Sequence, residues 1–242
     1  MSPFWLAWTF LTTFPGPGQG RASQTDFVRS RIWYPLVGAA LGGLWWSVAI
    51  GLRALGAPLE LVAAGVLAAM LASTGFLHLD GLLDSGDALL VPKSPEDRLR
   101  ILKDVHLGSF AFGVGATWFL AMHASLSHLR DPRLLLALPV LSRGIMLLPV
   151  QIFPYARALP EDPSSLTTGS PAVFRLWWLL PAACTGVAIF FFPLEAVAIL
   201  VVQLLFALWA SHRLGGGITG DVYGAGLCLS ECAGLALHAT LS

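Results

Sequence analysis

Three carboxylates, Asp80, Asp84 and Asp87, stand at i, i+4 and i+7 in the segment His78-Leu-Asp-Gly-Leu-Leu-Asp-Ser-Gly-Asp87. On an α-helix this spacing stacks them over about two turns, within a stripe about 60° wide. Like charges so placed repel by about a few tenths of a kcal/mol per pair even when exposed. No Lys or Arg lies between residues 54 and 92 to offset them. A solvated helix face is the bland reading, but such faces ordinarily mix signs, so a bound cation is the better expectation. Hard oxygen donors suit Mg²⁺ or Mn²⁺, with phosphate oxygens completing the shell. Gly81 and Gly86 each cost up to about 1 kcal/mol relative to Ala inside a helix, which makes sense where a bulky ligand approaches the backbone.

Other residues could join this chemistry. Asp104 adds a fourth carboxylate shortly before Gly108. Arg98, Arg100 and Lys103 form a basic patch that fits phosphate binding and topology setting equally well. Arg143 sits near the middle of an apolar stretch, where a charge is costly and faces the bundle interior. An ion pair with one of the aspartates, or a substrate anion, is expected there. Gly215-Gly-Gly-Ile-Thr-Gly-Asp221 precedes a helix and fits a phosphate nest, although Asp221 also fits a plain N-cap. His78 falls about 160° round the helix from the acidic stripe, which favours a structural use. The remaining histidines show no metal-site spacing.

The elements that must position these residues lie in a membrane. The chain has 242 residues, 56% hydrophobic and 12% charged, against about 25% charged in an ordinary soluble domain. Apolar stretches of about 20 residues recur, as a polytopic membrane protein requires. Zero formal net charge gives no nucleic-acid footprint. Cys184, Cys228 and Cys232 form neither a zinc pattern nor a disulfide framework, and a cleaved signal peptide is not expected.

The fold expected is an all-α polytopic bundle of about six to seven transmembrane helices. Residues 3–14 are too short to span and read as an interfacial or re-entrant helix, with Trp5 and Trp8 at headgroup level. Spans are expected at about 35–54, 58–77, 108–128, 134–153, 174–192, 194–211 and 223–240. The second runs straight into the acidic cluster, and Gly38, Gly42 and Gly43 allow close helix contact in the first. One membrane domain covers residues 1–242, without internal repeats. Most Lys and Arg residues fall in the first, third, fifth and seventh connections, against Arg53, Arg130 and Arg133 on the other side. That bias puts the N-terminus, the acidic cluster and the 215–224 loop on the cytoplasmic face.

Taken together, these stretches resemble the cobalamin synthase family, the adenosylcobinamide-GDP ribazoletransferases. His78-Leu-Asp-Gly-Leu-Leu-Asp-Ser-Gly-Asp87 is similar to its His-Leu-Asp-Gly-Leu-x-Asp-x-x-Asp motif. The segment from Arg98 to Gly108, Leu141-Ser-Arg-Gly144 with Tyr155-Ala-Arg157, and Gly216-Gly-Ile-Thr-Gly-Asp-Val-Tyr-Gly-Ala225 followed by Glu231 resemble later elements, in the same order. There are departures. Lys103-Asp104-Val105-His106 stands where the family commonly has Arg-Asp-Ser-Arg, and Cys228 occupies an often acidic position, leaving Glu231 as the acidic candidate. The loop after Arg157 lacks the usual Glu-Gly-Leu-Gly run.

The resemblance implies transfer of the adenosylcobinamide phosphate moiety from adenosylcobinamide-GDP to α-ribazole, or its 5′-phosphate, with release of GMP. It implies Mg²⁺ on Asp80, Asp84 and Asp87, with one of these or Asp104 taking the proton of the attacking hydroxyl. His78, Arg100, Lys103, Arg143, Arg157, Asp221 and Glu231 complete the implied substrate-binding set. The partners implied are the two substrates and the lipid bilayer of the inner membrane. Self-association, or association with other cobalamin-assembly enzymes, is left open. A CDP-alcohol phosphotransferase also clusters aspartates at helical spacing, but its Asp-Gly precedes Ala-Arg, whereas Leu82 and Leu83 follow Gly81 here. A cation-coupled transporter would place its charges near the midplane and show internal repeats.

Overall fold

The computed structural model describes residues 2–17, 22–156 and 179–241. Twelve α-helices are assigned among them. They are α1 (Pro3–Leu11), α2 (Gln24–Ser30), α3 (Tyr34–Ala54), α4 (Leu59–Ser73), α5 (Leu77–Leu89), α6 (Pro95–Ile101), α7 (Ser109–Ser127), α8 (Leu134–Ile145), α9 (Leu147–Ile152), α10 (Leu179–Phe191), α11 (Pro193–Arg213) and α12 (Gly220–Leu241). A 3₁₀ turn, Arg31–Trp33, joins α2 to α3. The protein is all-α. Its β-type pairing among the described residues is one isolated parallel bridge between Tyr155 and Ile218.

Among the described residues, five helical stretches are long and apolar enough to cross a membrane: Asp26–Ala54, Ser109–Ser127, Leu134–Ile152, Pro193–Arg213 and Gly220–Leu241. These match the expected first, third, fourth, sixth and last spans. The expected fifth span is represented by α10, and its first residues, 174–178, lie outside the described set. The expected second span is corrected. α4 and α5 pass the same test only together, and they meet at an 89° bend. Gly75 and Phe76 both have φ of 60°, which ends α4 in the left-handed region and redirects the chain. A non-glycine residue held there costs about 1–3 kcal/mol, so surrounding contacts must fix the corner. Thr13, just past α1, does so: its amide and hydroxyl donate to the carbonyls of Ser73 (2.9 Å) and Ala72 (3.0 Å). Both carbonyls lie at the end of a helix, where acceptors are freed, and that of Ala72 is also taken by the Gly75 amide (3.2 Å).

The acidic cluster is therefore not a polar extension of a straight span. It sits on its own helix, packed chiefly against α12 and α7. Buried His78, Leu79, Gly81, Leu82, Ser85 and Gly86 face the bundle. α3 seats on α8 through two of the three predicted glycines. A Cβ on Gly38 would lie 2.3 Å from the Pro139 carbonyl oxygen, and one on Gly42 would lie 2.6 Å from that of Leu136, whereas Gly43 faces open space. α1 is too short to span, as expected, and buries Leu6, Ala7 and Leu11. Cys184, Cys228 and Cys232 are free thiols.

Candidate active site

The site is built where α5 and α12 cross. α12 approaches so closely that a Cβ on Gly81 would lie 2.6 Å from the backbone oxygen of Asp221. One turn away, Gly224 sits over the His78 backbone, with 3.3 Å between its notional Cβ and His78 Cα. Glycine at residue 81 thus serves a helix contact rather than a ligand's approach to the backbone.

The crossing brings Asp80 and Asp221 to one cavity of about 220 Å³. Its other lining residues come from α1 (Phe10, Leu11), the first turns of α3 and α5 (Tyr34, Leu77, His78), α9 (Val150) and α12 (Tyr223, Leu227). Arg31 lines it as well. His78 and Asp80 lie on opposite sides of α5, yet both line the cavity because it abuts the helix end rather than one flank. Three of the predicted site residues, His78, Asp80 and Asp221, therefore converge.

The acidic stripe divides. Residues seven apart on a helix are displaced by about 10.5 Å along its axis, and the far end of α5 serves a different neighbour. Asp87 accepts the amide N–H groups of Gly108 (2.6 Å) and Ala111 (2.9 Å), one on each carboxylate oxygen. It caps the N-terminus of α7 from another helix, where orphan amides and the helix dipole favour an anion. Asp84 lies between the two ends and is partly buried.

Asp104 is exposed in the loop before α7 and bonds His106 twice, from its Oδ1 to the ring Nδ1 (2.6 Å) and to the backbone amide (3.1 Å). The His106 ring holds its carboxyl below the ordinary carboxylate range. It does not line the cavity. The basic patch also divides. Arg98 is buried and donates to the carbonyls of Arg213 (2.8 Å) and Val91 (3.2 Å). Arg213 in turn donates to Leu89 (2.9 and 2.6 Å) and Val91 (2.8 Å). These two arginines brace the C-terminal ends of α5 and α11 against α6. Arg100 pairs with Asp97 on the exposed face of α6, and Lys103 is exposed beyond it.

Arg143 is fully buried on α8 and pairs with Glu231 of α12, not with an aspartate. Two residues predicted to bind substrate thus bind each other. Arg157 lies outside the described residues. The glycine-rich loop is tied down on both sides. Gly216, with φ of 110°, donates its amide to Ser211 (2.8 Å), and Ile218 donates to Pro154 (3.0 Å). Those two amides are not available to a phosphate. Asp221 stands in the first turn of α12, its Oδ2 accepting the Thr219 hydroxyl at 3.2 Å. Sequence reasoning missed Phe10, Tyr34, Tyr223 and Val150, which carry no chemical signature until the fold assembles them.

Among the described residues no three His, Cys, Asp or Glu side chains converge to cage an ion. Mg²⁺ is usually held by one or two carboxylates with waters and substrate phosphates. Asp80 on the cavity, with Asp84 a turn along α5, fits that mode.

The family model for cobalamin-5-phosphate synthase (CobS) matches residues 3–239. The chain belongs to the cobalamin-5-phosphate synthase family. The adenosylcobinamide-GDP ribazoletransferase of Deinococcus radiodurans is 39% identical over 234 residues, 93% of this chain and 81% of the relative. That of Desulfitobacterium hafniense is also 39% identical, over 96% of this chain and 94% of the relative. The Pseudomonas fluorescens protein of the same name is 34% identical over 98% of this chain and its own full length. No solved structure matches. As a cobalamin-5-phosphate synthase family member the chain is a transferase of cobalamin biosynthesis with multiple membrane-crossing helices, which sets aside the phosphotransferase and transporter rivals.

Proposed function

We propose that the protein transfers the adenosylcobinamide phosphate moiety from adenosylcobinamide-GDP to α-ribazole or its 5′-phosphate. GMP leaves, and adenosylcobalamin or its phosphate forms. The observation that carries this reading is the meeting of Asp80 and Asp221, from motifs far apart in the sequence, on one cavity. Such a reaction is phosphoryl transfer, in which the protein chiefly positions groups and offsets charge.

Mg²⁺ would be held by Asp80 and Asp84, where it would neutralise charge on the diphosphate and its leaving oxygen. Asp221 takes the proton of the attacking 5′-hydroxyl, a contribution of about 10²–10⁴-fold for a placed general base. Arg100 and Lys103, exposed on and just beyond α6, draw the anionic nucleotide toward the same end of the bundle. Asp87 and the Arg143–Glu231 pair hold helices and leave the reacting atoms to others. The active-site end faces the cytoplasm in this reading, in keeping with the charge bias of the connections.

Purified protein in detergent should release GMP from adenosylcobinamide-GDP only when α-ribazole, or its phosphate, and Mg²⁺ are present. Asp80→Asn should reduce turnover by at least about 10²-fold, as expected for loss of a group acting on developing charge. Undiminished turnover in Asp80→Asn with unchanged Mg²⁺ dependence overturns the assignment.

A further inference from the structure

A second cavity opens on the flank of the bundle between α3, α8 and α10. It encloses about 480 Å³, more than twice the volume of the cavity at Asp80. Its wall is apolar, with Ala39 from α3, Ala137 and Val140 from α8, and Val187, Ala188 and Phe191 from α10. The space exists because small side chains, Ala39, Ala137 and Ala188, meet there from three helices. Asp131 and Arg133, from the connection just ahead of α8, complete the lining. Met146, past the other end of α8, lines the active-site cavity instead. Among the described residues the two cavities share none.

We propose that this groove binds an anionic phospholipid of the surrounding bilayer, with an acyl chain between α3 and α10 and the phosphate at Arg133. The inference does not depend on the reaction proposed above.

The surroundings of the groove carry the first part of the argument. α3 and α8 belong to stretches able to cross a membrane, and α10 is an apolar helix beside them. Val187 and Phe191 are 61% and 67% exposed, so the groove opens sideways, where hydrocarbon is the solvent. Apolar walls with nothing against them forfeit dispersion contacts. Water gains nothing there, because it needs polar partners to fill a cavity. An acyl chain supplies the missing contacts and is already present at that depth. The volume also lies within the about 300–1,000 Å³ of pockets that enclose a ligand. A second copy of the chain would have to insert a helix about 10–12 Å across, a poor match for a crevice between helices that touch one another.

The rim selects the headgroup. Arg133 is 75% exposed, and its Nε and Nη2 hold Asp131 while Nη1 lies outside that contact. Arg130 is exposed in the same connection. Arg53, in the last turn of α3, donates to the carbonyls of Leu129 and Arg130 and so brings a third guanidinium to it. Asp131 is the one carboxylate in residues 128–133. Three cations around one anion complement a phosphate, whose oxygens suit the planar guanidinium. Basic pockets between membrane helices recognise lipid headgroups in this way.

The test is native mass spectrometry of the full-length protein, delipidated in detergent and then exposed to mixed micelles of phosphatidylglycerol or phosphatidylcholine. The wild type should retain phosphatidylglycerol about fivefold better, the effect of a single cation near a membrane surface. Val187→Trp and Ala39→Phe fill the groove from opposite walls at exposed positions. Each should lower retention of both lipids by about tenfold or more, as expected when acyl burial is lost. Their unfolding temperatures in lipid-free detergent should match the wild type, which separates lost binding from lost folding. Arg133→Gln leaves the apolar wall intact, so it should remove most of the preference for phosphatidylglycerol and keep phosphatidylcholine retention unchanged. A wild type that retains neither lipid, or retains both equally, overturns the proposal. So does undiminished retention in the two groove-filling variants. A wild-type dimer that Val187→Trp dissociates would assign the groove to a second copy and overturn the proposal as well.

Discussion

Arg143 and Glu231 face each other across the α8–α12 contact at 2.7 Å, with side chains 0% and 8% exposed. Glu231 also accepts the Ser142 hydroxyl at 2.6 Å. Gln203 on α11 extends the network, donating to the Ser142 carbonyl (2.9 Å) and the Ser230 hydroxyl (3.0 Å). Three helices are thus joined by polar contacts inside an apolar bundle. Removing one member leaves the other charge buried and uncompensated, which costs about 3–5 kcal/mol. Glu231→Leu and Arg143→Met should each lower the unfolding temperature in detergent sharply. The double variant should recover much of the loss, since replacing both charges by apolar groups is often near neutral. A double variant as unstable as the sum of the singles would mean that the network serves something other than mutual neutralisation.

The division of the acidic stripe makes a second prediction. Asp87→Asn keeps one acceptor and sets its NH₂ against the other α7 amide, so it should retain most activity at some cost in stability. Asp87→Ala, which loses both acceptors, should lose about 0.5–2 kcal/mol of stability, as for a lost N-cap. Asp80→Asn should fold normally and fail in turnover. Thermal melts and GMP release measured side by side separate the two behaviours. An Asp87→Asn variant that is stable yet as inactive as Asp80→Asn would return Asp87 to the reacting centre.

Much of this site was legible in the sequence, and the reasons for the remainder are physical. The i, i+4, i+7 spacing identified a helix, and Gly215–Asp221 identified a turn before another. The intramembrane Arg143 required a partner. The 89° corner was hidden because Thr74-Gly-Phe76 reads as the tail of an apolar run, and only φ values reveal a left-handed pair. Asp87 could not be separated from Asp80 because its partners, Gly108 and Ala111, lie more than 20 residues on, across a helix contact. Arg98 and Arg100 look alike two residues apart, yet one is buried on backbone carbonyls and the other exposed. The apolar wall of the cavity is ordinary sequence until α1 folds back over the corner.

The helix crossing itself can be tested at Gly81. A methyl group there would press on the Asp221 backbone at 2.6 Å. Overpacking of this kind costs about 1–3 kcal/mol and moves the neighbouring backbone. Gly81→Ala should therefore depress turnover more than it depresses stability, because Asp221 is displaced relative to Asp80. Gly43→Ala is the control: its Cβ meets open space, and the variant should match the wild type in both assays.

The loop between α7 and α8 carries a pH signature. Arg133 bonds both oxygens of Asp131, from Nε at 2.9 and 3.1 Å and from Nη2 at 2.8 Å. That contact lowers the carboxyl below its usual 3.8. A carboxylate depressed on folding contributes stability that is complete above its unfolded value. The contribution is lost as pH falls through the lower folded value. Melting temperature should therefore decline below about pH 4 more steeply in the wild type than in Asp131→Asn, and the two curves should run parallel above about pH 5. The pair is partly exposed, so its effect should be small and should shrink with added salt.

Buried Arg98 and half-buried Arg213, at the end of the bundle, predict the opposite of what a phosphate patch would show. Arg98 and Arg213 satisfy the carbonyls of Leu89, Val91 and Arg213, and hydrogen bonds from charged groups contribute about 1.5–3 kcal/mol. Arg98→Gln and Arg213→Gln should lower stability, with the KM for adenosylcobinamide-GDP unchanged in the folded fraction. Arg100→Gln and Lys103→Gln remove exposed cations, so stability should hold within about 0.5 kcal/mol, as at most surface sites. If these two residues attract the anionic nucleotide, their loss should raise that KM at low salt, and the difference should fade as ionic strength rises. A KM that is insensitive to salt in both would remove Arg100 and Lys103 from substrate capture and leave them as topology-setting charges.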